Sequence, residues 1–189
     1  MFAHPPTTAA SLRELLAGDV VDAAAGLIGC RVASDRLELV IVETEAYHQD
    51  EEACHGYGGH TPRAQKLKRP PGHAYVYLSY GIHLLLNVVV GSQDFASAVL
   101  LRGAVAVPGL GGDPVPGPGR LGKTLGLSIA DDGIDLLAGG TLRLTPADAD
   151  DPMIGEPIAI GPRVGITKAV DLPWRFALRG SPGVSSPRP

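Results

Sequence analysis

The segment Val42-Glu-Thr-Glu-Ala-Tyr47 places acids beside an aromatic residue at the end of an apolar stretch that is typical of a strand. Side chains alternate along a strand, so the pattern predicts two faces: Val40, Val42 and Thr44 on one, and Ile41, Glu43 and Glu45 on the other. An acid in this position must find a partner, meet water or change its pKa. Glu45 is therefore a candidate general base and Tyr47 a candidate stacking surface. The alternative is a strand that ends at a solvated edge.

Three of the five tyrosines fall within Ala74-Tyr-Val-Tyr-Leu-Ser-Tyr-Gly81. Tyr75 and Tyr77 share one face of the predicted strand, whereas Tyr80 stands at the strand end beside Gly81, where it can protrude. Aromatic rings accept any nucleobase by stacking, at ~1–3 kcal/mol per base. Tyrosine is also common in strands because it packs well there, so both interpretations stay open.

One loop concentrates histidine, cysteine and acidic residues: His48, Asp50, Glu51, Glu52, Cys54, His55 and His60. Imidazole, thiolate and carboxylate groups all bind zinc, but the spacing matches neither HExxH nor CxxC. Two further interpretations are an ordinary surface loop and a site in which His55 alone has a function.

Two polar residues interrupt or end apolar strands. Asn87 lies within one such run and must be hydrogen-bonded if it is buried. Arg102 ends another and can pair with Glu45 or reach a phosphate. None of the four lysines lies in an apolar strand, where loss of water would make it a nucleophilic amine.

The net charge of −4 argues against a generally basic nucleic-acid binder, but the charges are unevenly distributed. Residues 62–123 carry seven basic and two acidic residues, and a phosphate backbone responds to the local field. Candidate backbone contacts in this region are Arg63, Lys66, Lys68, Arg69, Arg120 and Lys123. The segment Gly117-Pro-Gly-Arg120 can also present N–H groups to a phosphate at a helix start, although it lacks the P-loop spacing.

Length and composition predict one globular domain over residues 11–185, with a flexible N-terminus at 1–10 and a tail at 186–189. No apolar run approaches the roughly 20 residues that cross a bilayer. The N-terminus shows no basic segment followed by an apolar one, so we expect no signal peptide and a cytoplasmic protein. We expect Cys30 and Cys54 to be reduced.

The closely spaced strands indicate an α+β fold with a curved, mainly antiparallel sheet and flanking helices. The pattern predicts helices at 12–17, with Ser11 as N-cap, at 20–27 and at 119–127. It predicts strands at 30–33, 37–47, 74–80, 82–90, 96–107, 142–144, 158–160 and 174–178. Residues 48–72 form a long polar segment, 108–119 a glycine- and proline-rich excursion, and 181–189 a tail that is frayed at least at its end.

The order and spacing of these pieces resemble one family, the monofunctional alkyladenine (3-methyladenine) DNA glycosylases of the human alkyladenine type. The matching positions run over residues 27–185: Val42-Glu-Thr-Glu-Ala-Tyr47, His55, Thr61-Pro-Arg63, Pro71-Gly72, Tyr75-Val-Tyr77, Tyr80-Gly81, Asn87, Ala98-Val-Leu-Leu-Arg102, Gly117-Pro118, Leu121, Arg163-Val-Gly165 and Arg175-Phe176. The chain departs from the usual pattern at Ala64, Leu67 and Lys68, and in Gly103-Ala-Val-Ala106 after the arginine.

The resemblance implies an enzyme of base excision repair that flips a damaged purine out of double-stranded DNA and hydrolyses its bond to the sugar. Glu45 would activate the water that attacks the sugar C1′ atom, which leaves an abasic site. Arg102 and the backbone of Val164 would hold that water and an adjacent phosphate. The resemblance implies no metal or organic cofactor, and we expect a monomer.

The same resemblance assigns the remaining site residues. It makes Tyr47, His55 and Tyr77 walls around the flipped base, and Asn87 the residue that discriminates among purines. Tyr80 would fill the gap left in the double helix. The alternatives are a metal-dependent hydrolase built on His48, Cys54, His55 and His60, and a protein that binds damaged DNA without catalysis.

Overall fold

The computed structural model describes residues 5–107, 113–151 and 153–189. Its α-helices are α1 (Ala9–Ala17), α2 (Val20–Gly26), α3 (Pro62–Leu67) and α4 (Pro118–Leu125), and a 3₁₀ turn covers Ile129–Asp131. Its strands are β1 (Arg31–Ala33), β2 (Glu38–His48), β3 (Ala74–Ser79), β4 (His83–Val89), β5 (Ser97–Ala106), β6 (Val115–Pro116), β7 (Arg143–Thr145), β8 (Ile158–Gly161) and β9 (Arg175–Leu178).

The strands form one curled antiparallel sheet in the order β3-β4-β5-β2-β1-β7, which confirms the predicted α+β fold. β6 pairs with the part of β5 that lies beyond β4. β9 pairs with β2 on one side and with β8 on the other. β2 is paired with β5 along most of its length on one side, and with β1 and then β9 on the other. Its acids therefore lie in the middle of the sheet, not at a solvated edge.

A β-bulge in β2 makes the predicted alternation of faces wrong in part. Ile41 pairs with Ala104 and Glu43 with Gly103, so Val42 is an extra residue in β2. Ile41 and Val42 consequently both belong to the main hydrophobic core, although strict alternation places them on opposite faces. After the bulge, Thr44 Oγ1 donates to the carbonyl oxygen of Ala24 in α2 at 2.7 Å. Glu43 and Glu45 share the other face, as predicted.

The helix α2 packs against the core side of β2, and α1 packs on α2. Thr8, not Ser11, is the N-cap of α1, and Ser11 completes a capping box with it. The helix therefore begins at Ala9, three residues before the predicted start. Asp19 caps α2 by accepting from the N–H groups of Val21 and Asp22, which satisfies donors that have no partner inside the helix.

Several loop predictions differ from the structure. The polar segment 48–72 contains α3, which Thr61 caps. Ser181, Val184 and Ser185 are buried, so fraying of the predicted tail does not extend to these residues. Residues 1–4 of the predicted flexible N-terminus and 108–112 of the predicted excursion lie outside the described residues.

Cys30 and Cys54 are both free and buried, and their reduced state stays a prediction. In the described ranges, no helix is both long enough and apolar enough to cross a membrane.

We expect Gly122→Ala to lower the free energy of unfolding. A Cβ atom at this position in α4 would overlap the carbonyl oxygen of Leu84 in β4. Overpacking costs about 1–3 kcal/mol, more than the ~1 kcal/mol that alanine gains over glycine in a helix. Urea denaturation measures the change. The matched control is Gly140→Ala, since no atom lies within 4 Å of a Cβ there; equal stability of the two variants would contradict the close helix–sheet contact.

Candidate active site

A cavity of about 760 Å³ opens beside β2 between the aromatic residues of β3, the start of α4 and the loop that follows β8. Its walls include most of the predicted site residues: Tyr47, His55, Tyr77, Tyr80, Asn87, Arg102, Arg120 and Val164. Glu45 lies behind this wall and is fully buried. The volume and the mixture of aromatic rings with polar and charged side chains are compatible with a site for a small molecule.

Three donors hold the carboxylate of Glu45. Tyr47 Oη donates to Oε2 at 2.8 Å, and Arg102 Nη1 approaches the same oxygen at 3.2 Å. The backbone N–H of Val164 donates to Oε1 at 2.8 Å. Of the three alternatives that the sequence left open for this acid, the structure shows partners, and Arg102 is one of them. Because each carboxylate oxygen can accept two hydrogen bonds, Oε1 has room for a further donor.

Burial has the largest effect on the pKa values of both Glu45 and Tyr47. It raises the pKa of Glu45, against the charge of Arg102 and the hydrogen bonds from Val164 and Tyr47. Burial, together with the charge of Glu45, also raises the pKa of Tyr47 well above its usual range. Tyr47 therefore keeps its proton and donates it, while Glu45 titrates above the ordinary range for a glutamate.

Three rings form one continuous aromatic wall. The ring centroids of Tyr75 and Tyr77 lie 5.4 Å apart in a stacked arrangement, and those of His55 and Tyr77 lie 4.6 Å apart edge to face. His55 Nδ1 is hydrogen-bonded to Tyr75 Oη at 3.0 Å. Burial, aided by the positive charge of Arg63, lowers the pKa of His55. The imidazole is thus neutral near pH 7, with one ring nitrogen as donor and the other as acceptor.

Asn87 is buried in the cavity wall and hydrogen-bonded, as predicted. Its Nδ2 donates to the carbonyl oxygen of Tyr75 at 3.0 Å across the β3–β4 pairing. This bond fixes the orientation of the amide, so Asn87 gives the cavity a wall of fixed shape and polarity.

Tyr80 occupies the tip of the β3–β4 hairpin. It is 87% exposed and has a φ of 49°, while Gly81 has a φ of 72°. Two successive positive φ values, with a hydrogen bond from Ile82 N to Ser79 O, are typical of a type I′ turn. The left-handed conformation costs a non-glycine residue about 1–2 kcal/mol, and strain of this kind is concentrated at functional sites.

Sequence reasoning gave Arg163 no role beyond its place in a motif, yet it is a buried centre of contacts. It makes two hydrogen bonds to the carboxylate of Glu51, at 2.6 and 2.9 Å, and a third to the carbonyl oxygen of Ala46. Its guanidinium lies 4.6 Å from the ring centroid of Tyr47 and 5.5 Å from that of Trp174. Arg163 therefore supports the Tyr47 ring and fixes the backbone beside Val164. A buried arginine leaves no periodic signal in sequence that could have revealed this.

The predicted backbone-binding cations differ in their surroundings. Arg63, Arg120 and Lys123 are exposed, and Arg120 also lines the cavity. Lys66 is only half exposed in its side chain and pairs with Asp132 at 2.9 Å. Arg69 pairs with Asp132 as well. The charge of the predicted basic run is therefore partly neutralised.

The residues of the metal hypothesis do not converge. His48 pairs with Asp50, His55 with Tyr75, and burial raises the pKa of Cys54 to about 12, so its thiol stays protonated. Over the part of the chain that the structure describes, no group of three or more His, Cys, Asp or Glu side chains could hold a metal ion. The metal-dependent alternative gains no support.

Aromatic walls suit a flat substrate that stacks on them, and a buried carboxylate behind them can serve as a general base for hydrolysis. Comparison with known proteins defines the family: the sequence model of the methylpurine-DNA glycosylase family matches residues 14–182. The chain belongs to this family and is a DNA glycosylase, an N-glycosyl hydrolase of DNA repair that binds DNA.

The sequences of named relatives align with this chain over almost its whole length. A Rhodopseudomonas palustris (strain HaA2) protein named "Putative 3-methyladenine DNA glycosylase" is 45% identical over 93% of this chain and 90% of its own length. A Carboxydothermus hydrogenoformans protein of the same name is 38% identical over 92% of this chain and 97% of its own. "DNA-3-methyladenine glycosylase" of Arabidopsis thaliana is 38% identical over 90% of this chain and 72% of its own.

We expect Arg163→Lys to destabilise the protein by about 1–3 kcal/mol, short of the roughly 3–5 kcal/mol for losing a buried partner entirely. Lysine keeps the charge but loses the two-pronged contact with Glu51 and the flat stacking on Tyr47. Thermal or urea denaturation measures the change. Lys168→Ala is the control, because its pair with Glu52 spans 3.5 Å at the surface and such pairs contribute about 0–1 kcal/mol. Equal effects would show that Arg163 is not the anchor described above.

Proposed function

We propose that this DNA glycosylase excises alkylated or deaminated purines from double-stranded DNA, with Glu45 as the general base for a water nucleophile. The observation that carries the proposal is the carboxylate of Glu45, fixed by Arg102 and by the N–H of Val164 directly behind the aromatic cavity. The relatives named for 3-methyladenine support a damaged purine as substrate. A carboxylate that is shielded from bulk solvent and fixed by donors can take a proton from a single water molecule bound at its free oxygen position.

The reaction follows from this arrangement. Glu45 accepts a proton as the water oxygen bonds to the sugar C1′ atom, and the electrons of the broken glycosidic bond leave with the purine. Arg102, with the carbonyl oxygen of Val164 3.5 Å from its Nη1, would orient the water and an adjacent phosphate. The ionised Glu45 would also stabilise the positive charge that develops on the sugar.

The flipped base would stack against the ring wall. His55 and Tyr77 are in direct contact, so a purine does not fit between them and would lie between this pair and Tyr47. The hydrogen-bonding groups of His55, Tyr77 and Asn87 would then decide which purines are accepted. Tyr80 would take the place of the flipped base in the double helix, and the exposed cations Arg63, Arg120 and Lys123, with Lys66 after release from Asp132, would contact the phosphates. We propose that the protein acts as a monomer. We also propose that it works in the cytoplasm, in association with the nucleoid if it is bacterial.

Glu45→Gln should reduce single-turnover base release by ~10²–10⁴-fold, because glutamine cannot accept the proton. Duplexes carrying hypoxanthine or an alkylated purine are incubated with excess enzyme at low salt in EDTA, and alkali reveals the abasic sites. The wild-type rate should fall as the pH is lowered, because Glu45 must be ionised to accept the proton. This acidic limb should lie above pH 4.5, the ordinary pKa of a glutamate, because burial raises the pKa of Glu45.

Glu38→Gln is the matched control for this experiment. Glu38 lies on the same strand but pairs with Arg31 at 3.6 Å, away from the cavity, so its rate should equal that of the wild type. Release by a folded Glu45→Gln variant at the wild-type rate would reject the proposed base. Duplex binding without release by the wild type would favour the non-catalytic alternative, and release that requires added zinc would favour the metal-dependent one.

Tyr80→Ala should raise the dissociation constant for a lesion-containing duplex by about 5- to 150-fold, since one stacked ring contributes ~1–3 kcal/mol. Fluorescence anisotropy with the inactive Glu45→Gln background measures binding without turnover. Tyr57→Ala removes another exposed tyrosine, 49% exposed and outside the cavity wall, and should leave binding unchanged. An unaltered dissociation constant for Tyr80→Ala would remove its proposed role.

A further inference from the structure

Four charged side chains lie buried together behind the cavity: Glu43, Glu45, Arg102 and Arg175. Glu43, Glu45 and Arg175 are at most 1% exposed, and Arg102 is 7% exposed. Burying so many charges is costly unless each is paired and hydrogen-bonded. The proposed mechanism uses Glu45 and Arg102 but assigns nothing to the other two.

Glu43 is the most heavily hydrogen-bonded acid of this cluster. Its Oε1 accepts from Arg175 Nε at 2.7 Å and from Arg102 Nε at 3.3 Å. Ser185 adds two hydrogen bonds, from its backbone N–H to Oε2 at 2.7 Å and from its Oγ to Oε1 at 2.9 Å. Arg175 Nη2 in turn donates to the carbonyl oxygen of Ser185 at 3.0 Å, so the C-terminal segment is tied to Glu43 from both sides.

Two glycines allow the C-terminal segment to come this close. A Cβ atom at Gly103 of β5 would overlap the carbonyl oxygen of Gly183, and one at Gly183 would overlap that of Ala104. Glycine at both positions thus has a packing reason. Without this close approach, Ser185 could not reach either Glu43 or Arg102.

The guanidinium of Arg102 is consequently held in three directions. Nε points to Glu43, Nη1 to Glu45 and to the carbonyl oxygen of Val164, and Nη2 to Ser185 Oγ at 3.3 Å. A planar group with three fixed edges cannot rotate about its axis. An arginine that faces a single carboxylate usually forms a two-pronged pair that occupies both oxygens.

We propose that Glu43 and Ser185 are positioning residues for base excision, which restrict Arg102 to one oxygen of Glu45 and so leave Oε1 free to accept a hydrogen bond from the nucleophilic water. Because Glu43 takes Nε and Ser185 takes Nη2, Arg102 reaches Oε2 through Nη1 alone. Oε1 then accepts from the N–H of Val164 and keeps its second lone pair for the water. This inference rests on the proposed role of Glu45.

The charge of Glu43 has a second effect on the same site. The groups that face Glu45 are Arg102, Arg175, the hydroxyls of Tyr47 and Tyr77, and the N–H of Val164. Glu43 balances the two arginines. Removing its negative charge would leave the arginines to act on Glu45, which stabilises the ionised form. The acidic limb of the rate profile should therefore move to lower pH, whereas a purely structural defect would leave its position unchanged.

The test compares Glu43→Gln and Ser185→Ala in single-turnover base release over a range of pH. We expect Glu43→Gln to lower the rate on the order of tenfold or more and to move the limb to lower pH, with duplex affinity within about twofold of the wild type. Ser185→Ala, which retains the backbone N–H to Glu43, should lower the rate by roughly three- to tenfold.

Two matched variants separate positioning from loss of stability. Thr44→Val, between the two acids, loses a buried hydrogen bond to α2 and should destabilise the protein without changing the rate or the limb. Ser181→Ala changes a buried serine of the same C-terminal segment whose Oγ accepts from the N–H of Gly183, and should release base at the wild-type rate. If Glu43→Gln does not fold, Ser185→Ala against Ser181→Ala decides the question.

The outcomes distinguish this inference from the proposed function. If Glu45→Gln, assayed in parallel, retains activity, the role of Glu45 fails and this inference fails with it. If Glu45→Gln is inactive while Glu43→Gln and Ser185→Ala release base within about twofold of the wild type at every pH, the positioning role alone is overturned. A loss of rate that Thr44→Val and Ser181→Ala reproduce would overturn it as well.

Discussion

The burial of two carboxylates in the central strand is the constraint on which the site depends. Neither Glu43 nor Glu45 is exposed, and an ionised acid removed from water is tolerated only when positive charge and hydrogen-bond donors surround it. Those donors come from well-separated parts of the chain: Arg102 from β5, Arg175 from β9, Val164 from the loop after β8 and Ser185 from the C-terminal segment. The curled sheet and the returning C-terminus bring these elements to one face of β2.

The same burial joins stability to chemistry. An acid whose pKa is raised by loss of water destabilises the fold when it ionises, yet it is a stronger base near neutral pH. Its donors reduce this cost and also fix the carboxylate in one orientation. Arg163 extends the rigid region to Tyr47, because it contacts that ring and anchors the neighbouring backbone through Glu51. The strained turn at Tyr80 stands apart from this network, at an exposed tip that contacts solvent.

Membership of the methylpurine-DNA glycosylase family agrees with this architecture, and one close backbone contact completes the site at the C-terminal end. Gly103 stands against Gly183, and a side chain at either position would separate the C-terminal segment from β5. This contact keeps Ser185 beside both Glu43 and Arg102.

The sequence by itself determined the features that depend on neighbours along the chain. The alternation of side chains placed Tyr75 beside Tyr77 and Glu45 beside Tyr47, and the strand pattern predicted the antiparallel α+β fold. Only the tertiary structure decided the bulge at Val42, the partners of Arg163 and the contact between Glu43 and Ser185, which are 142 residues apart. The physical reason is that local periodicity sets the direction of a side chain, whereas the donor that satisfies a buried charge is selected by the packing of the entire chain.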